Sequence, residues 1–225
     1  MSARPADGPQ LAERFAGTGF AGLSILEEIG RGRRSRVFRC RWQSRECALK
    51  IYEPAAALRH LRITGEGIAD FEHARNLAYF RAPGLDRYVA QPFGRVSEGE
   101  LQALAQELLQ GRLYYDYYRE RSGAVAPSLA RDLERLVGLA HAAGLYDMDL
   151  HATNVMVVED KDGAPVPKLF DFNLIPFHVR PQNFFVGWLL RAGLVSRESR
   201  DLRRLRKFHD FRPIERRLKR RATES

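Results

Sequence analysis

Cysteines and long apolar runs are scarce in this sequence, and each scarcity excludes a class of protein. Cys40 and Cys47 are the only cysteines among 225 residues. Two cysteines are too few for a disulfide scaffold, and they lack the paired ligand spacing of a zinc site. We interpret both as small apolar residues in neighbouring strands. No apolar run reaches the ~18 residues of a membrane span, and MSARPADGPQLAERF lacks the apolar segment of a signal peptide. We therefore expect a cytoplasmic protein.

Acidic residues are scarce towards the C-terminus, and this leaves the chain with a net charge of +9. Residues 177–225 hold 14 Lys and Arg against 5 Asp and Glu, whereas residues 1–176 carry 23 of each type. The whole surplus therefore lies in the last part of the chain. It indicates an anionic partner such as membrane phospholipid, lipopolysaccharide or nucleic acid. A solvated basic helix face with disordered ends explains it equally well.

Residues 21–110 show the short alternating pattern of an antiparallel sheet. Residues 1–20 have no firm period and predict a flexible N-terminal arm or a short helix. Three alternating segments over residues 23–52, separated by GRGRRS and QSR, predict three antiparallel strands. Residues 68–80 predict a helix, and two later segments complete a five-stranded sheet. The apolar spacing of the helix predicts a buried side made of Phe71, Leu77, Ala78 and Phe80.

From residue 111 the pattern becomes that of helices. Ser128 predicts the N-cap of a long helix, and Gly144 suits its left-handed C-terminal position. NVMVVED and VPKLFDFN then predict a hairpin, and two further helices follow. We place a reduced, mainly helical lobe at 111–212 and a basic tail at 213–225.

A glycine-rich stretch, IGRGRRSRVF, places Gly30, Gly32 and Ser35 at the positions of a G-x-G-x-x-G loop between two strands. A hairpin also uses glycine in its turn, so a purely structural role is a strong alternative. A dinucleotide fold needs a strand, a turn and a helix, whereas a glycine-rich flap over ATP phosphates lies between strands. Positive charge is added by the four arginines of this stretch, Arg31, Arg33, Arg34 and Arg36.

Lys50 stands in the apolar segment CALKIY. A lysine in an apolar strand needs a carboxylate or a phosphate as partner, and its spacing from Val37 suits the phosphates of a nucleotide. The alternative is a side chain that extends to solvent from an edge strand. Glu72 is the obvious carboxylate partner, but its helical phase is irregular and Asn76 is a second candidate.

The stretch DMDLHATN carries an acid and an amide immediately before the strand-like VMVV. Asp149 and Asn154 lie in this loop, and Asp171 follows the paired strand in KLFDFN. Because the hairpin brings Asn154 and Asp171 to the same end, their oxygens suit Mg²⁺. Asp149 can then orient an attacking hydroxyl group and accept its proton. Independent turn and capping roles for all three are the alternative.

The segment ALAQELLQG predicts a strand that leads into a hinge. Residues from Glu107 to Leu109 would offer backbone N–H and C=O groups to an adenine edge. Side-chain identity matters little in that role, so an amphipathic strand followed by a turn explains the segment about as well.

In order and approximate spacing, G-x-G-x-x-S-x-V, A-L-K, D-L-H-x-x-N and D-F-N resemble the protein-kinase-like superfamily over about residues 23–176. The superfamily includes the aminoglycoside, choline and lipopolysaccharide core kinases. The resemblance implies a bilobal α+β fold with a five-stranded antiparallel N-lobe, and the use of ATP and Mg²⁺. It implies that Lys50 holds phosphate, that Asp149 is catalytic, and that Asn154 and Asp171 bind metal. The loop residues Gly30, Gly32, Ser35 and Val37 would cover the nucleotide.

The nearest named resemblance is to the bacterial YrbL-like family of the PhoP regulatory network, through GRGRRSR, NLAYF and NLIPF…GWLL. His151 stands where small-molecule kinases usually have His, which favours an acceptor other than protein. Asn173 replaces the Gly of D-F-G. Only 54 residues follow Asp171, without an A-P-E motif, so we expect no long activation segment.

These features favour an ATP- and Mg-dependent kinase that phosphorylates a hydroxyl group on an anionic small-molecule, sugar or envelope-lipid acceptor. We expect its basic tail to contact the inner membrane surface. The alternatives are a nucleotide-binding pseudokinase or regulatory module, and a minimal protein kinase. A nucleic-acid-binding domain is disfavoured, because the sequence has no helix-turn-helix signature or aromatic stacking strand.

Overall fold

The computed structural model describes residues 7–121, 126–172, 184–212 and 214–216. Two compact units make up the chain, Met1–Ala82 with Val89–Leu109 and Pro83–Tyr88 with Gln110–Ser225. Asn173 and most of the predicted basic tail lie outside the described residues. Within the described part, no helix is long and apolar enough to cross a bilayer.

The first unit is built on a five-stranded antiparallel sheet. Its strands are β1 (Ser24–Arg31), β2 (Ser35–Trp42), β3 (Arg45–Tyr52), β4 (Pro92–Glu98) and β5 (Leu101–Glu107). They are arranged in the order β1-β2-β3-β5-β4. Three helices belong to the same unit, α1 (Asp7–Glu13), α2 (Pro54–Thr64) and α3 (Ile68–Arg81). The five predicted strands and the α+β class are thereby confirmed.

Strand β3 is buried on both faces, and its alternation determines where Lys50 points. Cys47, Leu49 and Ile51 belong to the apolar core cluster of this unit. Because successive side chains of a strand point to opposite faces, Lys50 and Tyr52 leave the sheet on the other side, where both contact α3. An inner strand thus carries one apolar face and one polar face.

Cys40 of β2 and Cys47 of β3 are small buried residues in neighbouring strands, as predicted. Both thiols are free, and Cys40 lies opposite Cys47 in the strand register. Burial raises the pKa of Cys40 to about 12 and that of Cys47 to about 11. Both side chains are therefore protonated and unreactive in the folded protein.

The described segment before β1 contains a short helix, one of the two predicted forms, and it is packed on the sheet, unlike a flexible arm. Helix α1 begins at Asp7, and Phe15 and Phe20 are fully buried. The ring of Phe20 lies 5.9 Å from that of Phe15 and 5.0 Å from that of Trp42, between ring centroids. These aromatic side chains cover the apolar face of the sheet, which requires a cover because its strands carry apolar residues at every second position.

Helix α3 confirms the predicted helix, but the predicted buried side is wrong. The residues that it buries are Ile68, Ala69, Glu72, Asn76 and Tyr79. The predicted residues Phe71, Leu77 and Phe80 are half-buried, and Ala78 is exposed. The sequence pattern missed the correct face because two of its buried positions are polar. Helix α2 was not predicted at all.

The second unit combines a small sheet with helices. Its strands β6 (Gly111–Leu113), β7 (Val155–Glu159) and β8 (Pro165–Leu169) pair in that order, so the predicted hairpin is confirmed and gains a third strand. Gly111 is required here, because a Cβ atom would overlap the carbonyl oxygen of Val157. The helices are α4 (Tyr114–Glu120), α5 (Pro127–Ala142), α6 (Phe184–Arg191) and α7 (Glu198–Arg206).

Helix α5 begins one residue before the predicted N-cap. Ala126 occupies the N-cap and Pro127 the first helical position, so Ser128 is not the cap. Proline suits that position because its fixed φ fits the helix and its missing N–H has no intrahelical partner there. Gly144 has φ = 71°, which confirms the predicted left-handed position after the helix.

Candidate functional site

The lysine of β3 and a glutamate of α3 form a buried ion pair in the first unit. The Nζ atom of Lys50 lies 2.8 Å from Oε1 and 3.1 Å from Oε2 of Glu72. Only 10% of the Lys50 side chain and 1% of the Glu72 side chain are exposed. This contact decides between the two helix candidates in favour of Glu72. The amide of Asn76 instead donates to Oε1 of Gln106 at 3.3 Å.

A second donor holds the Glu72 carboxylate. The hydroxyl of Tyr52 donates to Oε2 of Glu72, and the ring of Tyr52 lies 5.5 Å from the Lys50 ammonium. A carboxylate with no access to water needs such donors to remain in place. The three side chains therefore form one fixed polar group on the α3 side of the sheet.

The glycine-rich stretch forms the end of β1 and the turn before β2. Gly30 lies opposite Val37 in the strand register. A Cβ atom on Gly30 would lie 3.7 Å from that of Val37, and one on Gly32 would lie 3.6 Å from the carbonyl oxygen of Ser35. Neither glycine has a left-handed φ. The hairpin alone therefore does not require glycine at either position.

The four arginines of this stretch fall into two kinds. Arg31 and Arg36 both bind Glu28, at 2.8 and 2.6 Å. The hydrogen bond from Arg36 is the largest contribution that lowers the pKa of Glu28. Arg33 and Arg34 are exposed at the turn, and within the described part of the chain their side chains form no ion pair. Uncompensated positive charge is thus confined to the tip of the loop.

The end of β5 contains the predicted hinge residues. The backbone N–H of Glu107 donates to the carbonyl of Gln91 at 2.8 Å, and the Glu107 side chain accepts from the Gln91 N–H at 3.1 Å. The N–H of Glu107 is therefore engaged within the protein. Leu109 follows the strand, and its backbone makes no hydrogen bond to any other described residue.

In the second unit the loop before β7 holds Asp149 against Asn154. The amide nitrogen Nδ2 of Asn154 donates to the backbone carbonyl of Asp149 at 3.0 Å and to its Oδ2 at 3.2 Å. The backbone N–H of Asn154 donates to the carbonyl of His151 at 2.8 Å, and Nδ1 of His151 lies 2.9 Å from Oγ1 of Thr153. The loop thus fixes the orientation of the Asp149 carboxylate with local hydrogen bonds.

The hairpin brings Asn154 and Asp171 to the same end, as the sequence predicted. Val155 pairs with Leu169 in the register of β7 and β8, and the N–H of Phe170 donates to the carbonyl of Asn154 at 3.1 Å. Asp171 is the next residue. The side-chain oxygen of Asn154 makes no hydrogen bond to any described residue, so it remains available to a ligand.

A polar contact that the sequence did not predict joins helix α7 to the segment before Asp149. Asp201 is fully buried and accepts the backbone N–H of Asp147 at 2.8 Å, and it lies 3.3 Å from Nε2 of His141. Burial raises the pKa of Asp201. Arg200 contacts Asp147 at 3.5 Å. These hydrogen bonds support Asp147 in its left-handed conformation, φ = 65°, which is uncommon for a residue other than glycine.

Arg204 of α7 forms an ion pair with Asp149, and this residue too was not predicted from the sequence. The guanidinium donates to Oδ1, while Oδ2 is the oxygen that accepts from Asn154. The available signal was the spacing of Arg200 and Arg204, which lie four residues apart and so on one helix face. The apolar residues of RESRDLRRLR are too few to bury a helix, so its polar face had to find partners.

Comparison with known proteins gives structural matches only. No family model and no curated protein matches the sequence. The structure is similar to that of Rad53 in complex with AMP-PNP, with a TM-score of 0.55 and 19% identity over 73% of this chain and 42% of that chain. It is also similar to the PknI kinase domain of Mycobacterium tuberculosis, with a TM-score of 0.50 and 20% identity over 70% of this chain.

The chain thus has the protein-kinase-like fold that the sequence predicted. It spans less than two thirds of each of these two structures, 42% and 62% of their chains. Within this fold the predicted residues form two sets. The first unit contains the glycine-rich loop, Lys50 with Glu72, and the hinge residues. The second unit contains Asp149, Asn154 and Asp171.

Proposed function

We propose that the protein is an ATP- and Mg-dependent phosphotransferase that phosphorylates a hydroxyl group. The observation that carries this proposal is the Asp149 carboxylate, oriented by Asn154 at 3.2 Å and reachable from solvent with 30% of its side chain exposed. A carboxylate that is oriented and accessible can bind an acceptor hydroxyl and take its proton. A residue that only capped a turn would need neither the second hydrogen bond nor the exposure.

The first unit supports the use of ATP. The Glu72 pair holds the Lys50 ammonium in a fixed position for nucleotide phosphates. Gly30 and Gly32 are not required by the hairpin, so the absence of side chains leaves room for phosphate to approach the backbone. At the hinge, Leu109 offers an unengaged backbone N–H to an adenine edge, whereas the N–H of Glu107 binds the carbonyl group of Gln91.

The residues at the end of the β7–β8 hairpin fit Mg²⁺. The unengaged amide oxygen of Asn154 and the carboxylate of Asp171 are hard oxygen ligands. The described residues contain no cluster of three His, Cys, Asp and Glu side chains that could hold a metal alone. An ion bound by Asn154 and Asp171 would therefore share phosphate and water oxygens. When bound, Mg²⁺ would neutralise charge on the phosphates.

The acceptor that we propose is a small molecule, a sugar or an envelope lipid, and it is anionic or lies beside anionic lipid. The support is the +9 charge of residues 177–225 and two exposed aromatic residues of α6, Phe185 and Trp188, which are 63% and 51% exposed. Exposed aromatic side chains next to basic residues suit a membrane interface. We accordingly propose a cytoplasmic protein at the inner membrane surface. The YrbL-like and lipopolysaccharide-kinase resemblance remains part of this proposal.

Membrane contact is testable with the protein's own fluorescence. Trp42 and Trp188 are the two tryptophans, and Trp42 is buried in the core. In a Trp42→Phe variant, Trp188 emission should shift to shorter wavelength with phosphatidylglycerol vesicles and remain unchanged with phosphatidylcholine vesicles. Unchanged emission together with no co-sedimentation on the anionic vesicles would exclude contact through α6.

The reaction itself is tested by transfer of labelled γ-phosphate from Mg-ATP. The purified protein is offered a membrane extract and, separately, soluble cell protein, with Asp149→Asn as the matched control. We expect label in the lipid or small-molecule fraction with the native protein alone. Equal labelling by the variant would refute the role of Asp149, and label in soluble protein would favour a minimal protein kinase.

A nucleotide-binding pseudokinase or regulatory module is the second candidate. The observation in its favour is the Arg204 ion pair, which occupies one oxygen of the Asp149 carboxylate. Under this alternative the protein binds AMP-PNP but transfers no phosphate to either fraction or to itself. Binding without transfer over the same range of protein concentration would decide for it.

A further inference from the structure

Helix α7 places a guanidinium directly on the proposed catalytic carboxylate. Arg204 donates to Oδ1 of Asp149, and 29% of the Arg204 side chain and 30% of the Asp149 side chain are exposed. Among the described residues this is the one hydrogen bond of the Arg204 side chain. A guanidinium has five N–H donors, so most of them remain available to a group that enters from solvent.

The position of Arg204 is fixed by the helix that carries it. Arg200 precedes it by one helical turn and contacts Asp147, and the buried carboxylate of Asp201 accepts the N–H of Asp147. The contacts of Arg200, Asp201 and Arg204 therefore attach one face of α7 to the segment that ends at Asp149. An isolated surface pair would lack such support. The same face of α7 thus determines where the guanidinium lies.

A cation at this position has a chemical reason. The stretch from Asp147 to Asn154, DMDLHATN, contains no Lys or Arg. In the proposed reaction the Asp149 carboxylate must accept a proton from a hydroxyl whose oxygen is bonding to a phosphoryl group. Two negative groups then lie within a few ångströms of each other, and their repulsion opposes the reaction unless a positive charge lies beside them.

We propose that Arg204 is a further catalytic residue, one that binds the transferred phosphoryl group while it remains next to Asp149. This inference rests on the proposed function. A guanidinium can bind a carboxylate and a phosphoryl oxygen at the same time, because its donors point in different directions. Arg204 then stabilises the charge of the transition state, as an arginine supplied in cis does in other phosphoryl transfers.

The step is an in-line displacement. The acceptor hydroxyl oxygen forms a bond to the γ-phosphorus, and the bond from that phosphorus to the β,γ-bridging oxygen breaks. ADP leaves with the electron pair of the broken bond, and the hydroxyl proton passes to the Asp149 carboxylate. Arg204 neither gains nor loses a proton. Its contribution is confined to charge and orientation, so it should favour the transition state over the bound ATP.

The first test measures binding. Arg204→Ala, Arg204→Lys and the native protein are titrated with Mg-AMP-PNP, which resembles bound ATP, and with Mg-ADP plus aluminium fluoride, which resembles the transferred phosphoryl group. We expect Arg204→Ala to weaken the fluoride complex about 100-fold or more and to change AMP-PNP affinity less than about threefold, with Arg204→Lys between the two. Arg203→Ala, an exposed neighbour on the same helix, is the matched control and should behave like the native protein.

The second test measures transfer to the membrane extract, with thermal unfolding of each variant recorded by circular dichroism. Arg204→Ala should lose about 100-fold to 1000-fold in rate, and millimolar guanidinium should restore part of it. A structural role would instead lower the unfolding temperature, weaken both nucleotide complexes equally and give no rescue. Any of these three results in Arg204→Ala, or native activity in this variant, would overturn the inference while the proposed function stands. Absence of transfer by the native protein would overturn both.

Discussion

Removal of the Lys50 ammonium should destabilise the first unit more than any change at an exposed lysine. In Lys50→Met the side-chain length is kept and the charge is lost. The Glu72 carboxylate, 1% exposed, then loses the ammonium and keeps the hydrogen bond from the Tyr52 hydroxyl. With 1% of its side chain exposed, this carboxylate has little access to water as an alternative partner.

The magnitude follows from the burial of the pair. Breaking a buried ion pair by removal of one partner costs about 3–5 kcal/mol, and the remaining Tyr52 hydrogen bond points to the lower end, about 3 kcal/mol. For a chain of this size such a loss lowers the midpoint of thermal unfolding by about 6–12 °C. In Lys50→Met/Glu72→Gln the buried charge is gone and Tyr52 keeps an acceptor, so at least half of the loss should be recovered.

The assay is urea unfolding followed by tryptophan fluorescence, because Trp42 lies in the core of the same unit. Lys161→Met, at an exposed lysine, is the control and should change the unfolding free energy by less than about 0.5 kcal/mol. A loss below about 1 kcal/mol, or a double variant no more stable than Lys50→Met, would refute the reasoning.

Two further predictions concern packing and pH. Gly111→Ala should destabilise the second unit by more than about 2 kcal/mol, because the new Cβ overlaps the Val157 carbonyl, and urea unfolding of the variant checks this; a loss below about 0.5 kcal/mol would contradict it. Burial makes the largest contribution to the lowered pKa values of His60, His73 and His209. Below about pH 6.5 the unfolded chain therefore binds more protons than the folded chain. Stability should be complete above that pH and fall as the pH drops, by at most about 1.4 kcal/mol per pH unit for each histidine; stability that rises between pH 6.5 and pH 5 would contradict it.

The strands were predictable because their residues alternate, and the loop residues were predictable because they are close in sequence. Asp149 and Asn154 are five residues apart, so one stretch contains both members of the contact. The partner of Lys50 is 22 residues away on α3, and the apolar pattern gave the wrong face of that helix. Since Glu72 and Asn76 are buried polar residues, a pattern that assumes apolar burial must set the phase incorrectly.

Helix α2 was missed for a related reason. Its larger apolar residues, Leu58 and Leu61, are 49% and 48% exposed, while Ala57 and His60 are buried. A rule that places large apolar side chains inside therefore predicts the wrong buried face for this helix. Nothing in the local sequence shows that the neighbouring elements leave space for an alanine and an imidazole and not for two leucines. The partners of a helix decide which of its faces is buried.

Exposure to solvent also distinguishes the ion pair of the first unit from that of the second. The Lys50–Glu72 pair is almost inaccessible to water, so a ligand cannot replace either partner without leaving a buried charge. The Arg204–Asp149 pair is about 30% exposed on both sides, so the unused donors of the guanidinium lie within reach of a substrate group. A buried pair suits a residue that must hold its position, and a partly exposed pair suits residues that must bind a hydroxyl and a phosphoryl group while they remain in contact. The difference in exposure is therefore the physical reason to assign structural support to Glu72 and chemistry to Asp149 and Arg204.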